Sequence, residues 1–101
     1  MFRSRSASKL EHKLIDVNAR LKRAREELAV LDEQLVMFAD TADETRIRAL
    51  VSESPLDNQD HREATRHADA MRRSRAALAA SIAELEKSQD ELLDQLVTKS
   101  R

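Results

Sequence analysis

Three histidines carry most of the chemistry this sequence could attempt: His12, His61 and His67. His61 follows Asp57 by four residues and His67 follows Glu63 by four. On a helix that spacing puts carboxylate and imidazole on one face. Such a pair could orient an imidazole for proton transfer or supply two ligands to a metal. A metal centre needs more ligands than either pair offers, and the Glu-x-x-His spacing of di-iron bundles is missing. With no cysteine there is no thiolate site or thiol nucleophile. Serine, histidine and aspartate all occur, yet no spacing gathers them into a nucleophile, base and orienting acid. Glycine is wholly absent, which removes the phosphate-cradling loops and dinucleotide turns that need residues without a Cβ. The sequence therefore reads as non-enzymatic, with no metal and no cofactor, and its histidines as ordinary residues of a helix surface or seam.

Two basic clusters offer a different chemistry. Arg20, Lys22, Arg23 and Arg25 form one, and Arg72, Arg73 and Arg75 the other. Arginines so grouped can contact phosphates, which makes a nucleic-acid-binding hairpin through Arg20, Arg23, Arg25, Arg72 and Arg73 one reading. Interleaved acids such as Glu26, Glu27, Asp32 and Glu33 favour a solvated face instead. The formal net charge is -1, so no global field draws the chain toward nucleic acid or an anionic membrane. Phe2 and Phe38 are the sole aromatic side chains, leaving no platform for base stacking.

The elements that must position these residues follow from composition and period. In 101 residues, 37% charged and 41% hydrophobic, with regular apolar spacing, the chain suits long helices with a thin seam rather than a thick core. No apolar run approaches the roughly 20 residues that span a bilayer. No hydrophobic stretch follows the early arginines, so a secretory signal is not expected. The expected setting is soluble and cytoplasmic, with no membrane partner. Abundant arginine and alanine suggest a GC-rich bacterial genome.

Residues 1–7 read as a basic flexible arm. Ser8 to Glu11, "SKLE", fits a capping box, which predicts a helix over about 9–51. Its apolar positions are Leu10, Leu14, Val17, Leu21, Ala24, Leu28, Leu31, Leu35, Phe38, Ala42, Thr45 and Ala49. The steps alternate four and three, the signature of a coiled-coil seam. "SPLD", Ser54 to Asp57, is a second helix start, with serine as cap, proline at the first helical position and aspartate near the positive end of the dipole. A turn over about 52–54 and a helix over about 55–98 follow. Its seam is His61, Ala64, Ala68, Met71, Arg75, Leu78, Ile82, Leu85, Gln89, Leu92 and Leu96.

The two seams fit each other if the chain bends at Glu53. Leu10 then faces Leu96, Leu21 faces Leu85, Leu28 faces Leu78, Leu35 faces Met71 and Phe38 faces Ala68. Flanking charges agree, with Arg48 near Asp60, Asp32 near Arg72 and Arg25 near Glu86. A bend beyond the proline would set Phe38 against Arg75 and is rejected. The expected fold is all-α: one antiparallel two-helix coiled-coil hairpin over 8–101.

Apolar residues off the seam indicate where partners bind. Val30, Met37 and Val51, with Ile15, Ala29, Val36, Leu50 and Ile47, fall on the back of the first helix, where a self-sufficient hairpin should be polar. On the second helix Ala76, Ala77, Ala80 and Ala83 keep the outer side small. A self-association surface of Val30, Val36, Met37, Arg75, Ala76, Ala77, Ala80 and Ala83 would pair two hairpins into a four-helix bundle. There a carboxylate from the second copy would meet the awkward seam charge of Arg75. The bend offers a second surface, a partner-binding tip of Arg46, Ile47, Arg48, Leu50, Val51, Glu53, Leu56 and Asp57.

The stretch "FADTADETRIRALVSESP", Phe38 to Pro55, is similar to small uncharacterised helical-hairpin proteins of actinobacteria, a resemblance that implies no activity. Glu53 and Asp57 at the bend resemble the tip acids of transcript-cleavage factors, whose coiled-coil hairpin enters RNA polymerase. That resemblance implies a regulator docking on RNA polymerase or a sigma factor, although the globular anchor of those factors has no counterpart in these residues. Glu84, Ser88 and Gln95 match part of the helix motif of anti-sigma hairpins that respond to a cyclic dinucleotide. Glu91 stands where that motif has arginine, and no aspartate follows at 99, so ligand binding is not carried over. The expected function is a non-catalytic coiled-coil interaction module, an adaptor or regulator that presents a helical surface to a protein partner and self-associates.

Overall fold

The computed structural model describes residues 5–99, with side chains from Ala7 onward. Those residues form an all-α helical hairpin: α1 (Arg5–Ser52), a connection of Glu53 and Ser54, and α2 (Pro55–Lys99). Long uninterrupted helices are what a glycine-free chain rich in alanine, leucine, arginine and glutamate should form. Pro55 stands at the first helical position of α2, where its missing N–H costs no hydrogen bond.

The start of α1 differs from the expectation. Ser8 and Glu11 lie inside the helix instead of capping it, and Arg5–Ala7 are helical instead of belonging to an arm. Residues 1–4 of that expected arm lie outside the described residues. Ala7 gives the physical reason. It sits three residues before Leu10, in phase with the seam, and is only 7% exposed, so burial carries the helix past the serine.

The fold divides into two compact units, Met1–Glu27 with Leu78–Arg101, and Leu28–Ala77. In the first, Leu10, Val17, Leu21, Ala24 and Ile82 are buried. Full burial of one leucine is worth roughly 1.5–3 kcal/mol, and Leu21, 1% exposed, receives most of that. Gln89 Nε2 donates to Asn18 Oδ1 at 2.7 Å, so the polar residue of the α2 seam is satisfied by a neighbour of Val17. Arg25 lies 3.7 Å from Glu86, as the register requires.

In the second unit the buried residues are smaller: Thr45, Ala49 and Ala68. Thr45 is accommodated because its hydroxyl bonds back to the carbonyls of Thr41 at 2.8 Å and Ala42 at 3.0 Å. The Phe38 and His67 rings meet at 5.8 Å between centroids, tilted by 53°. Arg75 Nε donates to Asp32 Oδ1. Within each unit, partners on α2 fall in number as those on α1 rise, so the segments run antiparallel. Each pair lies within a few residues of the register that bends at Glu53.

All the expected seam positions are buried or half-buried, from Leu10 to Ala49 on α1 and from His61 to Leu96 on α2. Among the described residues, no helix is long and apolar enough to cross a membrane.

Candidate interaction surfaces

The connection is built without glycine. Glu53 adopts φ 55°, the left-handed region, at the position just past a helix end where glycine is the usual occupant. Its N–H donates to the Ala49 carbonyl at 3.1 Å, closing the last turn of α1. The Ser54 carbonyl then accepts from the Asn58 N–H at 3.0 Å, the first bond of α2. Ser54 is thus the helix-starting residue expected from "SPLD", acting through its backbone. Ser52 supplies the side-chain clamp. Its Oγ donates to Asp57 Oδ2 and accepts from the Ser54 N–H at 3.3 Å. The role of Ser52 is not legible in the sequence, because Ser54 occupies the motif position and Ser52 reads as the end of α1.

Beside this clamp in sequence, large apolar side chains stand exposed among charged ones. Val51 is 81% exposed, Leu50 69%, and Ile47 and Leu56 are exposed as well. Glu44, Ile47, Arg48, Val51 and Ser52 line one shallow open groove. Of the expected tip residues, Ile47, Arg48 and Val51 are therefore brought together. Arg46, Leu50, Glu53 and Leu56 are exposed at the same end, and Asp57 is half-buried and engaged by Ser52.

The back of α1 shows the other expected surface. Val30, Val36 and Met37 are exposed, Met37 by 68%. Ala76 and Ala77 of the same unit are exposed too. Ala80 and Ala83 are exposed in the other unit, where Ala80 lines an open groove with Arg20, Ser81, Glu84, Leu85 and Ser88. Arg75 departs from its expected part. Asp32 of its own chain supplies the carboxylate, so Arg75 does not need one from a second copy. The hydrogen bond and the charge of Asp32 both raise the guanidinium pKa above its ordinary value, against a smaller opposing effect of desolvation. A raised pKa stabilises the fold at every pH below the unfolded value and loses that contribution only as pH climbs through the folded one. The Arg75 side of the pair therefore stays charged across the neutral range.

Asp32 was expected beside Arg72. Arg72 instead pairs with Asp69 three residues back, at 2.8 Å, because Arg75 on the seam reaches Asp32. Among the described residues no ion pair joins Arg48 to Asp60, and both reach solvent without one. The basic clusters are partly neutralised: Arg20 lies 4.0 Å from Asp16, and Arg25, Arg72 and Arg75 each face a carboxylate. Arg23 and Arg73 are exposed. His12 and His67 are exposed, and His61 sits in the seam with its Nδ1 buried and without a hydrogen-bond partner. Among the described residues no three potential ligands gather where they could hold a metal ion.

Comparison with family models, with curated proteins and with solved structures gives no match to this chain.

Proposed function

We propose that this hairpin is a non-catalytic protein-interaction module of the cytoplasm, which engages a protein partner through the apolar surface of α1 near the turn. One observation carries this reading. Among the described residues, Val30, Val36, Met37, Ile47, Leu50, Val51 and Leu56 are large, apolar and exposed within a single unit. Isolated exposed apolar residues are ordinary on a protein surface, whereas a gathered set indicates a contact site. Ile47 and Val51, which line one groove, with exposed Leu50 next to Val51 in sequence and Leu56 at the start of α2, are the surface for the partner. The Val30, Val36 and Met37 face supports self-association into a four-helix bundle. Carboxylates beside four of the arginines weigh against nucleic acid as the ligand.

The test separates the two surfaces. Capture of partners from native lysate is compared between the parent chain and a Leu50→Glu/Val51→Glu variant, and light scattering is run on Val30→Glu/Met37→Glu. The tip variant should lose the captured species and keep the parent's mass. The back-face variant should become monomeric. Unchanged capture by the tip variant defeats the partner assignment, and a monomeric parent defeats the bundle.

A further inference from the structure

The two seams can pair within one chain or between two. If a pair of copies exchanged their second helices, each α1 seam residue would still meet the same residue types on α2. The layers would then contribute equally to both arrangements, leaving the connection and the concentration-dependent entropy of joining two copies to distinguish them. In the closed hairpin the connection holds Glu53 at φ 55°, where its Cβ crowds the following carbonyl. It also holds the Ser52 hydroxyl between the Ser54 N–H and Asp57. Opening returns Glu53 to negative φ and removes that crowding, but gives both Ser52 hydrogen bonds up to water. The two effects oppose each other and are similar in size. A two-residue hinge under such strain is the kind that favours exchange. Pro55 keeps the opened connection from joining α1 and α2 into one smooth helix, since its ring disfavours helical geometry at Ser54.

We infer that the turn is a conformational latch: the Ser52 hydroxyl keeps the hairpin closed against the strain at Glu53, and releasing it lets α2 exchange with that of a second copy of this chain. This differs from the four-helix bundle, in which each hairpin stays closed and the back faces meet.

The test uses two versions of the full chain, one lengthened by a tag, both carrying Leu35→Cys and Met71→Cys. These seam positions lie between the Asp32–Arg75 and Phe38–His67 contacts of one unit. The versions are mixed at matched concentration, warmed and cooled together, and oxidised. A bridge within one chain reports the closed form, and a bridge between a long and a short chain reports exchange. Added Ser52→Ala should raise the inter-chain share about fivefold over the parent pair. Added Glu53→Gly, which suits the left-handed region, should lower it about fivefold. An equal share in parent and both variants overturns the latch, as does exchange that falls with Ser52→Ala. Absence of inter-chain bridges in every version overturns it too. Should Ser52→Ala fail to give a helical circular dichroism spectrum, Glu53→Gly still decides, because an unchanged share there removes the strain from the account.

Discussion

The two units of this hairpin use the same seam pattern and bury side chains of different size. The unit of Met1–Glu27 and Leu78–Arg101 keeps large side chains inside, burying Leu10, Val17, Leu21 and Ile82. Leu28–Ala77 buries only the smaller Thr45, Ala49 and Ala68 and puts seven large apolar side chains on its surface, against Ile15, Leu93 and Val97 in the other unit. Both units hold further seam leucines half-covered, Leu28, Leu31 and Leu35 in one and Leu14, Leu85 and Leu92 in the other. Apolar surface left in water forgoes roughly 25 cal/mol per Å². The Leu28–Ala77 unit accepts that loss at seven large side chains, beside a glycine-free turn held by a serine clamp.

The largest effect that could break this contrast is expected at Leu21. Leu21→Ala should cost about 3 kcal/mol, because the fully buried side chain leaves a cavity that two long helices cannot close over. Leu35→Ala, at a half-buried seam position of the other unit, should cost about half as much. Denaturant unfolding followed by circular dichroism measures both. Equal costs would mean that the two units are packed alike and that the contrast in burial has no energetic meaning.

Much of this was legible before the structure, and the reason is periodicity. Twelve positions on α1 with alternating steps of four and three leave one face to bury, and Leu10 through Ala49 are covered accordingly. The bend at Glu53 was legible because Pro55 admits few helical positions and the two seams match only in one register. What escaped depends on side-chain reach rather than on period. Arg75 takes Asp32 and leaves Arg72 to Asp69, a choice decided by a single turn of helix. Ser52 was invisible as a clamp because its partners, Ser54 N–H and Asp57, come within reach only once Glu53 has turned left-handed. The helix start was misplaced at Ser8 because a capping motif is a local signal, and the buried Ala7 outweighs it.

A smaller effect sharpens the comparison from inside the Leu28–Ala77 unit. His61 occupies a seam position with Nδ1 buried and unpartnered. An unsatisfied buried polar atom costs about 1–3 kcal/mol relative to a paired one. His61→Leu, which keeps comparable bulk and removes the nitrogen, should therefore stabilise the fold by about 1 kcal/mol. Thermal unfolding at neutral pH reads this as a raised Tm. A lowered Tm would show that the imidazole contributes a contact that leucine cannot replace, and the looser unit would then owe part of its stability to polar packing.

The smallest expected effect on stability is at the turn-end cluster, and it is the most informative. Leu50, Val51 and Leu56 are exposed, so replacing each with serine removes little buried area. Each substitution should change stability by no more than about 0.5 kcal/mol, the ordinary range for surface positions. If the cluster exists for contact, the same three changes should abolish partner capture while the unfolding midpoint stays in place. A loss of more than about 1 kcal/mol on any of them would show that these side chains support the turn in solution. The hairpin's apolar end would then be structural, and the search for its partner would move to the Val30, Val36 and Met37 face.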